Sequence, residues 1–250
     1  MKKEDKEFEK MVDEAIEGER EFSDLDKVKK ISELSGVGVP RAIDQLLSPP
    51  SIILVQPNSP ILKDSAGNSA SPGQFYHPAK TRIFESLKMI ILGFKLGRTL
   101  YVEEGEETII GCRSYDSLTS TEGESCAKCK NSKWEANKPP PCKLYFEFMC
   151  LDEDGDPFLL TAKGSSFSPA RVFINDMLGA SLPLFSHWVK ATSKLIEGKK
   201  GRFYIMQFKR GKKNSLEEVK NYASISMKTF GYSRPFSYLI ASGSAKQEKD

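Results

Sequence analysis

The sequence predicts an α+β protein in which β-strands dominate, and two observations support this prediction. From Ser86 onward, seven short segments are rich in Ile, Leu, Phe, Tyr and Val and are separated by glycines or charged turns, as strands are. Helical spacing interrupts this series after the fifth segment. Seven strands with a helical interruption indicate a small barrel or a sandwich.

The predicted strands follow one another closely along the chain. In order, they are LKMIILGFKL, RTLYVEE, ETIIGCRS, KLYFEFMCL, PFLLTAKG, GRFYIMQFKR and NYASISMKTF. The connections EEGEE, DEDGD and RGKKN, after the second, fourth and sixth strands, are short enough for hairpins.

Residues 152–156 also offer carboxylates to a metal ion. Because the distal glutamate of a calcium loop is missing, we interpret them as a charged turn.

Two segments after the fifth strand have helical spacing. SPARVFINDMLGA begins at Ser168, a candidate N-cap, and ends near Gly179. LPLFSHWVKATSKLIEG places Trp188 and Leu195 on one helix face and ends at Gly198. A helix between strands closes the end of the five-stranded oligonucleotide-binding (OB) barrel, so we expect an OB-like barrel.

Residues 1–60 are expected to form a helical leader, partly flexible, ahead of a main domain at residues 61–250. Residues 4–17 place apolar side chains at helical spacing among charges, and a proline-rich stretch follows at residues 49–60. The first 35 residues contain twelve acids and eight bases, whereas the whole chain carries a net charge of +3. The sequence therefore predicts an acidic leader on a weakly basic body.

The bulk composition, 39% hydrophobic and 28% charged, is that of an ordinary soluble globular protein. No run of 18 apolar residues could span a bilayer, and MKKEDKEFEK lacks the apolar segment of a secretory signal. We therefore expect a cytoplasmic protein without a membrane partner. No P-loop, paired catalytic histidine or nucleophile motif is present, so we do not expect an enzyme.

Four of the five cysteines, Cys112, Cys126, Cys129 and Cys142, fall within 31 positions in the pattern C-x13-C-x2-C-x12-C. The close pair can bind one ion from a single turn, and the outer two come from strand ends. Leu118 is the only Leu, Ile, Val, Met or Phe between the outer cysteines, so a bound metal would have to replace a core. In a reducing cytoplasm, this pattern predicts a structural zinc ribbon rather than disulfides.

Basic and aromatic residues are interleaved in two places, which is the chemistry of single-strand binding, because cations neutralise phosphates and rings stack on bases. The candidates near the sixth strand are Lys199, Lys200, Arg202, Tyr204, Lys209, Arg210, Lys212 and Lys213. Those of the cysteine segment are Arg113, Tyr115, Lys128, Lys130, Lys133 and Trp134. In the alternative interpretation, the strand rings enter the core and the rings of the cysteine segment shield the metal.

Five motifs resemble a group of bacteriophage single-stranded-DNA-binding proteins in which a zinc ribbon is inserted into an OB-like barrel. They are PGQFY (72–76), GCRSYD (111–116), CAKCKNSKW (126–134), PPPC (139–142) and FLLTAKGSSFSPAR (158–171). The resemblance implies a replication or recombination accessory that coats single strands in the host cytoplasm. Many such proteins end in an acidic tail that recruits replication enzymes, whereas SGSAKQEKD is mixed in charge. We therefore expect replication or recombination proteins to bind the N-terminal region.

The sequence thus predicts a non-enzymatic protein that binds single-stranded DNA without strong sequence preference. The alternative is a zinc-ribbon regulator that binds RNA polymerase or another protein. Magnesium-dependent nuclease or polymerase chemistry at residues 152–156 ranks third, because the sequence contains no other catalytic motif.

Overall fold

The computed structural model describes residues 49–104, 107–135, 138–198 and 201–230. The expected leader helices at residues 1–48 and the SGSAKQEKD tail lie outside these ranges. The main unit begins at Pro49, so it includes the proline-rich stretch that the sequence assigned to the leader. No helix within the described ranges is long and apolar enough to cross a membrane.

The described residues form nine strands and two α-helices. The strands are β1 (Ser51–Leu54), β2 (Phe75–His77), β3 (Arg82–Phe84), β4 (Ser86–Glu104), β5 (Glu107–Ser114), β6 (Lys143–Leu151), β7 (Pro157–Lys163), β8 (His187–Gly198) and β9 (Gly201–Lys213). The helices are α1 (Phe167–Gly179) and α2 (Leu216–Phe230). The prediction of an α+β, mainly β protein is confirmed at this level.

All nine strands belong to one mixed sheet. Eight of them follow the order β3-β2-β1-β7-β6-β4-β8-β9, and β5 pairs with β4 beside this path. The β1–β7 pair is parallel, whereas the other neighbours are antiparallel. Within the described residues, the end strands β3 and β9 do not pair, so the sheet is open and the closed OB-like barrel is not observed.

Strand β4 joins the two ends of the sheet, because its 19 residues pair with three partners in succession. Its first residues pair with β8, its middle with β6 and its last residues with β5. The sequence divided this segment into two strands at Gly97, where the Tyr145 ring lies so close that a Cβ would approach it to 2.3 Å. An extended strand of this length spans roughly 60 Å, so features at its two ends lie far apart.

The main core lies between one face of the sheet and α1. Phe75, Phe148 and Leu160 on the sheet and Met177 on α1 are at most 1% exposed. A second, smaller cluster lies on the opposite face of β4, where α2 covers Ile90 and its neighbours. Burial on both faces explains the long apolar run in the first half of β4.

Two predicted elements have the other secondary structure. The expected second helix after the fifth strand is a 3-10 turn followed by β8, in which buried Val189 and Ala191 alternate with exposed Lys190. The expected seventh strand belongs to α2, which contacts the second cluster through Tyr222 and Ile225. The RGKKN segment also forms no hairpin, because β9 continues to Lys213. Of the helices predicted after the fifth strand, α1 is confirmed.

Candidate functional site

The four clustered cysteines lie in a cysteine module (residues 112–142) that connects β5 to β6 through turns. The amide of Cys126 donates to the carbonyl of Leu118 at 2.8 Å, and the amide of Cys142 donates to the carbonyl of Asn131 at 2.9 Å. These bonds hold the turn that carries the close cysteine pair against the chain that enters β6. The outer cysteines are at strand ends, as the sequence predicted.

Beyond the end of β5, burial within the cysteine module is confined to thiols. Among the described residues from 115 to 142, only Cys126 and Cys142 are buried, at 7% and 9% exposed. Neither belongs to one of the two apolar clusters, whereas Cys150 is fully buried in the main core. Packing in the apolar core therefore explains the burial of Cys150. It does not explain the burial of Cys126 and Cys142.

The thiols are near one another but not at the spacing of metal-bound ligands. Burial, the charge of Glu122 and the neighbouring thiols of Cys126 and Cys129 raise the pKa of Cys112. Burial also raises the pKa of Cys142, with a smaller contribution from Cys112. Within the described residues, however, the only metal-ligating group whose atoms all lie within 4.8 Å is Asp152, Asp154 and Asp156. The cysteine sulfurs thus influence one another electrostatically but are not grouped as a compact set of metal ligands.

The module also presents two aromatic rings to solvent. Tyr115 is 56% exposed and Trp134 is 68% exposed. The guanidinium of Arg113 lies 5.7 Å from the centre of the Tyr115 ring, so one face of that ring is occupied. Within the described residues, Trp134 makes no ring contact or hydrogen bond. Trp134 is therefore the more accessible stacking surface of the two.

Three lysines accompany Trp134 without acidic partners. Lys128, Lys130 and Lys133 form no ion pair with any described residue. The turn that carries them is organised by Ser132, whose hydroxyl donates to the carbonyls of Cys126 and Cys129. The module thus combines free ammonium groups with an exposed ring.

The candidates near the sixth predicted strand are arranged differently. Arg202 pairs with Glu197 at 2.9 Å, and the Tyr204 ring is half-buried over Gly73. Lys209, Arg210, Lys212 and Lys213 are exposed, whereas Lys199 and Lys200 lie outside the described residues. Phe208, between these bases in sequence, packs against Phe148 and Phe173 in the core. Lys209 directly follows Phe208 in β9 and therefore lies on the opposite face of the strand from that ring.

The fourteen predicted nucleic-acid-binding residues do not converge on one groove. Cys112 pairs with Leu100 near the far end of β4, whereas β8 and β9 pair beside its first residues. The cysteine module and the basic end of β9 are consequently two separate surfaces.

A cleft of about 590 Å³ lies beside the basic end of β9, and sequence reasoning missed it. Its polar lining includes Arg82, Lys88, Lys190 and Lys212, and Trp188 is among its rings. The alternation of Trp188 and Lys190 is a strand signal that could have placed both on one face. Because that segment was predicted to be a helix, this alternation was not recognised.

Two lysines of the protein partly offset the charge of the acidic rim of this cleft. The ammonium group of Lys80 lies 2.5 Å from Asp152 and 2.6 Å from Asp156, and these hydrogen bonds strongly raise the pKa of Lys80. Lys88 pairs with Glu153 at 2.6 Å. The interpretation of residues 152–156 as a charged turn agrees with this geometry, because a lysine occupies the position a cation would take.

Comparison with known proteins identifies a family. A family model described as "Pam3 phage gp34-like protein" matches residues 26–230, which is more than half of the chain. No curated protein and no solved structure matches the chain.

Proposed function

We propose, from the premise that the chain belongs to the Pam3 phage gp34-like family and is a phage protein, that it binds single-stranded DNA without strong sequence preference. Trp134 supports this proposal most directly. Its ring is 68% exposed in a module that has no apolar cluster of its own. An exposed ring can stack on any unpaired base, because every base has a flat face.

The charges around Trp134 support the same function. Lys128, Lys130 and Lys133, which have no ion pair with a described residue, can neutralise successive phosphates while a base lies on the ring. The exposed basic residues at the end of β9 add a second positive surface. In the part of the chain that the structure describes, neither surface includes a helix suited to a major groove, so we expect duplex DNA to bind more weakly.

We propose that the cysteine module is organised by one structural zinc ion held by Cys112, Cys126, Cys129 and Cys142. The four thiols fit a structural zinc ion, because zinc in such sites is bound by four ligands and cysteine sulfur is one of its preferred ligands. Burial of Cys126 and Cys142 outside any apolar cluster supports the assignment. When bound, zinc would draw the sulfurs together and stabilise a segment without a core.

The biological setting is also part of the proposal. A protein that coats single strands would act as a replication or recombination accessory in the cytoplasm of the host cell. The acidic residues near the N-terminus offer a surface for replication or recombination proteins. We propose no catalytic activity.

A titration with labelled oligonucleotides tests the function. Fluorescence anisotropy of the full chain should show tighter binding to a single strand than to a duplex of the same length. Affinity for the single strand should fall with rising salt by roughly 0.7 log units per decade for each neutralised phosphate. Equal affinity for both forms, or no binding at low salt, would overturn the proposal.

A zinc-ribbon regulator that binds RNA polymerase or another protein is the second candidate. The β4–β5 hairpin favours this second candidate, because its side chains Tyr101, Ile109 and Ile110 are 37% to 47% exposed. Exposed apolar side chains on an edge strand suit contact with a protein. Stable capture of purified RNA polymerase by a chain that does not bind DNA would favour this function instead.

A further inference from the structure

The cleft beside β8 has the volume of a small-molecule site. Its volume of about 590 Å³ falls within the range of roughly 300–1,000 Å³ that ligand pockets occupy. It is lined by β3, the start of β4, the turn after β6 and the facing ends of β8 and β9. Rigid strands therefore position most of its side chains.

Three lysines are aligned across the strands next to this cleft. Lys88 on β4 lies directly opposite Lys190 on β8, and Lys190 lies directly opposite Lys209 on β9. Like charges in directly opposed positions destabilise a sheet. Glu153 relieves Lys88, whereas Lys190 and Lys209 have no ion pair with any described residue. The aligned lysines repel one another, and a bound anion would reduce this repulsion.

Four cationic side chains and three carboxylates line the cleft, so its lining is slightly positive. Glu153 pairs with Lys88, whereas Asp152 and Asp154 share the ammonium group of Lys80. Arg82, Lys190 and Lys212 line the cleft without an ion pair to any described residue. Three such cations around one cavity suit a phosphate group, which accepts several charge-assisted hydrogen bonds.

Most of the remaining lining is aromatic or apolar. Trp188 and Phe84 line the cleft, and each ring has a cation over one face, at 4.7 Å from Lys88 and 5.1 Å from Arg82. Val189 and Phe158 lie behind this surface, where they are buried in the main core. A ligand that joins a flat ring to a phosphate would use both kinds of surface.

We propose that this cleft binds a nucleoside phosphate, with Arg82, Lys190 and Lys212 at the phosphate and Trp188 and Phe84 beside the base. The source is either a free nucleotide or a nucleotide of a single strand. The proposal rests partly on the proposed function, because Lys212 belongs to both sets of residues. The two tryptophans of the chain separate the two proposals, since Trp134 is in the cysteine module and Trp188 lines the cleft.

The experiment uses the full chain with Trp134→Phe, in which Trp188 is the only tryptophan. We expect saturable change of its fluorescence on titration with thymidine monophosphate, and a weaker affinity for inorganic phosphate. Lys190→Ala in this background should weaken thymidine monophosphate binding about tenfold or more, because it removes a charge-assisted contact. Lys194→Ala, on the same face of β8 but outside the cleft, should leave the affinity unchanged.

The controls distinguish the ligand sources. If a thymidine oligonucleotide changes Trp188 fluorescence in a Lys190-dependent manner and the mononucleotide does not, the site is supported with the strand as its source. Equal affinity for inorganic phosphate and thymidine monophosphate would contradict the proposal that Trp188 and Phe84 bind the base. If neither nucleotide nor oligonucleotide changes Trp188 fluorescence while the wild-type chain still binds single strands, the cleft proposal fails and the proposed function stands.

Discussion

The side-chain amide of Gln56 pairs with the backbone of Tyr204, although 148 residues separate them. Its Nε2 donates to the Tyr204 carbonyl at 3.0 Å, and its Oε1 accepts from the Tyr204 amide at 2.9 Å. The Tyr204 ring lies against Gly73, where a Cβ would approach it to 2.4 Å. One glutamine thus connects β9 to the loop after β1, where the open sheet has no strand pair.

Replacing this glutamine should destabilise the protein. Gln56→Ala leaves the half-buried amide and carbonyl of Tyr204 without partners, so we expect a loss of about 1–3 kcal/mol in the free energy of unfolding. Urea denaturation measures it. Gln207→Ala, at an exposed position of β9, should change stability by less than about 0.5 kcal/mol. Equal effects of the two substitutions would show that the Gln56 connection is not stabilising.

Much of the strand content could be predicted from the sequence. The predicted segments ETIIGCRS and KLYFEFMCL match β5 and β6, because apolar and β-branched residues there are bounded by turns. Helix α1 was predicted from Ser168 as its N-cap and Gly179 near its end. The N-cap is instead Ser166, so the helix begins two residues earlier than predicted, at Phe167. Local signals were sufficient for these elements.

Tertiary packing decided the elements that were predicted wrongly. In β8, Trp188 and Leu195 have helical spacing, but pairing with β4 and β9 selects the strand. In α2, the alternating ASISM suggests a strand, yet Tyr222 and Ile225 cover the second cluster from a helix. Sequence spacing alone cannot show which partner a segment will meet.

The candidate site could be predicted only in part. The exposed Trp134 and its lysines follow from the lack of apolar residues around them. The cleft combines Arg82, Lys88 and Lys190 from three strands, and that combination depends on register across the sheet. Strand register is a tertiary property, so this part of the surface was missed.

Removal of residues 1–48 should leave a soluble folded domain that still binds single strands. The main unit begins at Pro49, and loss of the acidic residues removes competition with phosphates. Removal of residues 1–60 should instead destabilise the domain, because Ile52 and Leu54 are 5% and 8% exposed in the core. Denaturation and oligonucleotide titration of both truncations check this. Equal stability of the two would contradict the role of β1.

Stability should decrease as the pH falls below about 6.5, the ordinary histidine pKa. Burial, aided by the charge of Lys80, lowers the pKa of His77, whose Nδ1 accepts a hydrogen bond from the Lys80 amide. Burial also lowers the pKa of His187, near Arg210. The unfolded chain therefore binds protons before the folded protein does, so the stabilisation is complete above this range and is lost below it.

Denaturant unfolding at pH 7.5 and 5.5 measures this dependence. His77→Asn keeps an acceptor and cannot take up the proton, so its free energy of unfolding should fall less between these pH values. The negative charges of Asp152 and Asp156 act on the same histidine and oppose part of this decrease in its pKa. An unchanged pH dependence in His77→Asn would exclude His77 as its source.

Purified protein should contain about one zinc per chain, measured by elemental analysis. Cys126→Ser should lose the metal and disorder the cysteine module, while the main core stays folded because its residues lie outside the module. Cys150→Ala, in that core, should retain the zinc. A metal-free wild-type chain whose module stays folded in strong chelator would contradict the zinc assignment.

The most direct test of single-strand binding compares Trp134→Ala with Leu118→Ala. Both side chains are 68% exposed in the cysteine module, but only tryptophan offers a ring for stacking. We predict that Trp134→Ala weakens binding of a labelled single strand by about 1–3 kcal/mol, whereas Leu118→Ala leaves it nearly unchanged. Wild-type affinity in Trp134→Ala, with no preference for single strands over duplex, would contradict the account.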